Sequence, residues 1–71
     1  MAIVLYIGGS KDGKKGVVPY GFSKTRMDTD QGPEIYVERM MDVTGKGRMR
    51  VMVLETLRDD IAFQRLSRHL G

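Results

Sequence analysis

Glu34-Ile35-Tyr36-Val37-Glu38-Arg39-Met40-Met41-Asp42-Val43, followed by Thr44-Gly45-Lys46-Gly47 and then Arg48-Met49-Arg50-Val51-Met52-Val53-Leu54-Glu55, is the stretch whose reading decides the fold. Its first ten residues admit two descriptions. As a helix, Pro33 suits the first helical position, Glu34 the positive end of the dipole and Gly45 the stop, with Tyr36, Val37, Met40 and Met41 as a stripe. As a strand, Ile35, Val37, Met41 and Val43 alternate with Glu34, Glu38 and Asp42, broken only by Arg39 and Met40.

The following run favours the strand. Met49, Val51 and Val53 alternate against Arg48 and Arg50, and the Thr44–Gly47 segment suits a three-residue hairpin loop with Gly47 in the left-handed conformation. The expected register pairs Val43 with Met49 and Met41 with Val51 on one face. On the other it sets Asp42 opposite Arg50 and Met40 opposite Met52.

Upstream, Ala2-Ile3-Val4-Leu5-Tyr6-Ile7 is a short, β-branched apolar run ended by Gly8-Gly9, the pattern of a buried strand. Asp12-Gly13 marks a turn, and Val17-Val18 resumes an extended pattern through Phe22. Pro19 cannot donate to a ladder, so this second strand is expected to be short and at a sheet edge, forming a first hairpin. Residues 23–33 (SKTRMDTDQGP) lack periodicity and read as a loop.

Downstream, Thr56 and Asp59 resemble a capping box, and a helix is expected from Leu57 to Leu70. Ala62, Phe63, Leu66 and Leu70 share one helical face, whereas Leu57 and Ile61 fall away from it. The bland explanation is a first turn tucked under the preceding strand; the sharper one is contact with another subunit.

The expected whole is one α+β domain over residues 1–71, a small antiparallel sheet of three to four strands in a β-β-β-β-α meander with one C-terminal helix. A single helix covers one face of a sheet. Tyr36, Met40, Met52 and Leu54 then line an outer face that must be covered by the N-terminal hairpin, a second copy or another protein.

Length and composition set the limits of function. The chain has 71 residues, no cysteine and one histidine, which excludes disulfides and the usual zinc ligand sets. No apolar run reaches the roughly 20 residues of a membrane span, and residues 1–7 lack a basic leader, so a cytoplasmic protein is expected.

Familiar site motifs fail on inspection. Gly8, Gly13 and Lys14 match the spacing of a phosphate-binding loop, but Lys15 stands where a magnesium-ligating Ser or Thr belongs, and no helix follows. The segment reads better as a flexible basic hairpin tip. Asp28, Asp30 and Glu34 faintly resemble a calcium loop, but Gly32 and Pro33 fall at the wrong positions. His69 reads as a capping or surface histidine. Glu38 and Asp42, roughly 13 Å apart at strand rise, are too far apart for a glycosidase pair. No catalytic residue, metal ligand or cofactor is expected.

Charge is the most informative remainder. Residues 1–26 carry net +4, residues 27–47 net −3 and residues 48–71 net +2. The expected function is therefore non-enzymatic binding. A protein-protein interaction module (adaptor, inhibitor or assembly factor), with a protein partner or a second copy, would use Tyr36, Met40, Met52, Leu54, Leu57 and Ile61. The alternative is a nucleic-acid-binding protein using Lys11, Lys14, Lys15, Lys24 and Arg26, with Tyr6, Tyr20 and Phe22 as interleaved aromatics.

Overall fold

The computed structural model describes residues 2–21 and 23–70. Among the described residues, five strands and one helix follow one another as β1 (Ala2–Ile7), β2 (Lys15–Val18), β3 (Lys24–Thr29), β4 (Gly32–Val43), β5 (Gly47–Leu54) and α1 (Asp59–Leu70), with a 3-10 turn at Gly9–Lys11 between β1 and β2. The strands form one sheet in the order β2-β1-β5-β4-β3. β1 runs parallel to β5, and every other neighbour is antiparallel.

This topology replaces the expected antiparallel meander of three to four strands. The physical reason lies in β1 and β5, which are central and buried on both faces. Leu5, Ile7, Val51 and Val53 pack under the helix with Ala62 and Leu66. Val4, Tyr6 and Met52 pack on the opposite face with Val18 and Tyr36. Continuous apolar runs such as Val4–Ile7 and Val51–Val53 are what two-sided burial demands, and parallel pairing is found in that setting.

The opposite face is closed by curvature. β2 and β3 are the two edges of the sheet, yet only residues 19–23 join them. In a flat five-stranded sheet those edges would stand about 19 Å apart. Six Cα steps reach at most about 21 Å when fully extended. The link has no such extension to spare, because it bends at Gly21, where φ is 82°. The sheet instead curls into a half-barrel. The link also meets the inner face: the Arg50 guanidinium lies 5.9 Å from the Tyr20 ring centroid. Tyr36 and Met52 are fully enclosed as a result, and Leu54 is half-buried. The chain's own N-terminal third thus covers most of the face for which the sequence suggests a partner.

Residues 24–29 form a strand in place of the expected loop. β3 pairs with β4 from Lys24↔Val37 to Thr29↔Gly32, leaving Asp30-Gln31 as a two-residue turn. Thr29 Oγ1 donates to Gly32 O at 2.6 Å and supports that turn. The strand has one apolar residue, Met27, because its other face is solvated.

Residues 34–43 are strand throughout, and Gly47 has φ 79°, as the hairpin reading requires. The register is offset by two residues from the expected one: Val43 pairs with Gly47, Met41 with Met49, Asp42 with Arg48 and Met40 with Arg50. A shift of two keeps each side chain on its face, so the partition into faces survives although the partners change.

The helix begins at Asp59, two residues later than expected, and Ala62 N donates to Arg58 O at 2.9 Å in its first turn. Thr56 lies in the preceding turn rather than at the cap. Leu57, released from the helix, packs against the cluster beneath it. The second stripe is therefore mostly a tucked turn. Among the described residues no helix is long and apolar enough to cross a membrane.

Candidate functional site

The β1–β2 connection is where the fold concentrates polar contacts. Gly8 and Gly9 take φ of 87° and 68°, and a Cβ on Gly9 would lie 2.6 Å from both a Glu34 carboxylate oxygen and the Tyr36 hydroxyl. Glycine is required there by conformation and by space. The close approach lets β4 grip the loop. Glu34 accepts from Ser10 N at 3.0 Å and Ser10 Oγ at 2.6 Å. The Tyr36 hydroxyl donates to Gly8 O at 2.9 Å and accepts from Lys11 N at 3.4 Å.

A second grip comes from the helix. Asp12 Oδ1 accepts from Gly8 N at 2.7 Å, and Asp12 Oδ2 lies 3.1 Å from His69 Nε2. The hairpin tip, which the sequence suggests is flexible, is thus held from two sides.

These contacts tune the acids. Burial pushes the Asp12 carboxyl upward, but the Gly8 N–H and then His69 outweigh it and hold the pKa below the ordinary 3.8. The Ser10 hydroxyl is the main cause holding Glu34 below 4.5. Burial, aided by the Glu34 charge, raises the Tyr36 hydroxyl above 10.0 against the Lys11 N–H.

The Asp12–His69 contact also gathers charge from distant parts of the sequence. Lys11, Lys14 and Lys15 flank Asp12-Gly13, while Arg65 and Arg68 lie within one helical turn of His69. Arg65 is close enough to lower the Asp12 pKa. Among the described residues none of these five cations has a carboxylate within ion-pair distance. Lys14, Lys15 and Arg68 are exposed, and Lys11 Nζ lies 5.5 Å from the Tyr6 ring centroid.

The basic set read from the sequence divides accordingly. Lys24 pairs with Glu55 at 2.9 Å and Arg26 with Asp28 at 3.1 Å, both from β3 at the opposite sheet edge. They do not join Lys11, Lys14 and Lys15. Of the aromatics, Tyr6 is in the core, edge-on to Tyr36 at 5.2 Å, and Tyr20 is exposed beside Arg50. Phe22 lies outside the described residues. Sequence reasoning does not single out Arg65 and Arg68. The available signal is spacing: Arg65 stands one helical turn before His69 and so shares its side of the helix.

The protein-contact set fares differently. Tyr36 and Met52 are sealed in the core, and Leu54, Leu57 and Ile61 are half-buried, so these do not form an open surface. Met40 alone of the six is exposed, at 48%. Asp42 is met by Arg48 at 3.5 Å, and Glu38 by Arg50 at 3.5 Å, so both carboxylates are spent in ion pairs. Among the described residues no three His, Asp or Glu side chains come together as a metal site.

No family model, curated protein or solved structure matches this chain.

Proposed function

We propose that the protein binds nucleic acid through its phosphate backbone, using Lys11, Lys14, Lys15, Arg65 and Arg68. The observation that carries this reading is the Asp12–His69 contact, 57 positions apart in the chain, which docks the end of the helix that carries Arg65 and Arg68 onto the turn beside Lys11, Lys14 and Lys15, cations that lack carboxylate partners among the described residues. Unpaired cations on a fixed loop neutralise phosphates and release counterions, which is the dominant source of such affinity. The ring nearest the site, Tyr6, is packed inward, so the reading is of phosphate contact rather than base stacking. Fluorescence anisotropy with duplex and single-stranded oligonucleotides at low salt tests it. Binding abolished by Lys14→Glu with Lys15→Glu, and retained in Lys24→Glu with Arg26→Glu, is expected; no binding at low salt defeats it.

A second reading, a protein partner, draws on a different patch from the one the sequence suggests. Ile3 and Val17 stand opposite each other on β1 and β2 and are 73% and 57% exposed. A partner captured by the wild type and lost on Ile3→Ser with Val17→Ser, with oligonucleotide binding unchanged, would favour it.

A further inference from the structure

The two edges of the sheet differ in how they are protected. β2 is four residues long, carries Lys15 and is followed by Pro19, features that discourage edge pairing. β3 is six residues long, has no proline and no residue with positive φ, and lies open along its outer side. Alternation fixes which backbone groups face out. Glu38 N donates to Ser23 O at 2.8 Å, which places the odd-numbered residues of β3 in bonded pairs with β4. The N–H and C=O groups of Lys24, Arg26 and Asp28 therefore point away from the sheet.

The side chains along that edge read Lys24-Thr25-Arg26-Met27-Asp28-Thr29-Asp30, a sequence whose charges invert about Met27. A second copy of the same strand, antiparallel and related by a twofold axis at Met27, sets Arg26 opposite Asp28, Lys24 opposite Asp30, Thr25 opposite Thr29 and Met27 opposite itself. The bonded pairs in that register are Arg26 with Asp28, whose backbone groups are the outward ones. Neighbouring registers that keep this parity fail. An axis at Arg26 faces Arg26 with itself, and one at Asp28 faces Asp28 with itself; like charges directly opposite are destabilising. The existing Arg26–Asp28 pair within one chain is exposed, and such pairs are worth little, so exchanging it for a pair across the axis loses little.

We infer that β3 is a self-recognition edge, joining two copies of this chain into a twofold dimer with a continuous sheet through Met27. Such an interface is isologous, the same strand on both sides. This goes beyond the nucleic-acid reading and uses none of its residues. A six-residue edge buries less than the roughly 1,200 Å² of a standard interface, so the dimer is weak and concentration-dependent.

Sedimentation velocity in low salt tests it, at concentrations up to about 1 mM, where a millimolar dissociation constant becomes visible. Wild type should rise from 8.0 kDa toward twice that mass. Arg26→Asp and Asp28→Arg, each at an exposed position, should each dimerise roughly tenfold more weakly alone, with circular dichroism unchanged. Mixed in equal amounts they are complementary and should restore a heterodimer. Wild type that stays at 8.0 kDa throughout overturns the inference. So do single variants that dimerise like wild type, or a mixture that stays monomeric.

Discussion

Asp12 and His69 stand 57 positions apart in the chain and meet at 3.1 Å, closing the C-terminal end of the helix onto the first β-turn. The acid's lowered pKa makes this contact a source of pH dependence. Asp12 contributes stability above its unfolded value of 3.8, and that contribution is lost as pH falls through its lower folded value. Asp12→Asn should cost about 1 kcal/mol near neutral pH. The gap from wild type, read from urea midpoints, should close progressively as the medium becomes more acid than the unfolded value.

Gly13 tests the same contact sterically. It has φ 83°, and a Cβ there would lie 2.9 Å from the His69 ring. Gly13→Ala should cost about 1–2 kcal/mol from the left-handed backbone. It should also displace the His69 ring, visible as a shift of its imidazole proton resonances.

The Tyr36 hydroxyl is buried and satisfied by the loop it holds. Tyr36→Phe leaves Gly8 O without its donor and should cost about 1–3 kcal/mol in thermal or urea unfolding. Amide exchange should quicken first in residues 8–12, and the sheet should remain.

Met52 separates enclosure from exposure. It is fully buried, so Met52→Glu places a carboxylate without a partner in the core and should unfold the chain. Met40→Glu, at a half-exposed position on the same face, should change stability by less than about 0.5 kcal/mol. Circular dichroism of the two variants reads the difference directly.

For the proposed nucleic-acid site the salt response is the quantitative check. Log K against log salt for a duplex should have a slope of about −4 if four or five phosphates are neutralised. Arg65→Ala with Arg68→Ala should reduce its magnitude by about 2.

Some of the fold is legible in the sequence and some is not. The hairpin around Thr44–Lys46 announces itself through two matched runs and Gly47, because turn chemistry and alternation are local. β3 does not. Its single apolar residue, Met27, gives no periodic signal, since an edge strand with one solvated face needs few apolar contacts. Nor does any local cue pair β1 with β5; the apolar runs show burial on both faces without naming the neighbour. Lys14 and Lys15 stand out as an unbalanced basic stretch. Arg65 and Arg68 join them only through the docking of the helix, a tertiary fact that helical periodicity alone does not contain.

The parallel pairing of β1 with β5 has a consequence for how the chain is made. Leu5 waits for Val51, 46 positions later. During synthesis β1 leaves the ribosome well before β5, with β2 to pair along one side and its parallel neighbour not yet made along the other. Until the last third is translated, that bare side is a sticky template, and speed of completion protects the nascent chain from its neighbours.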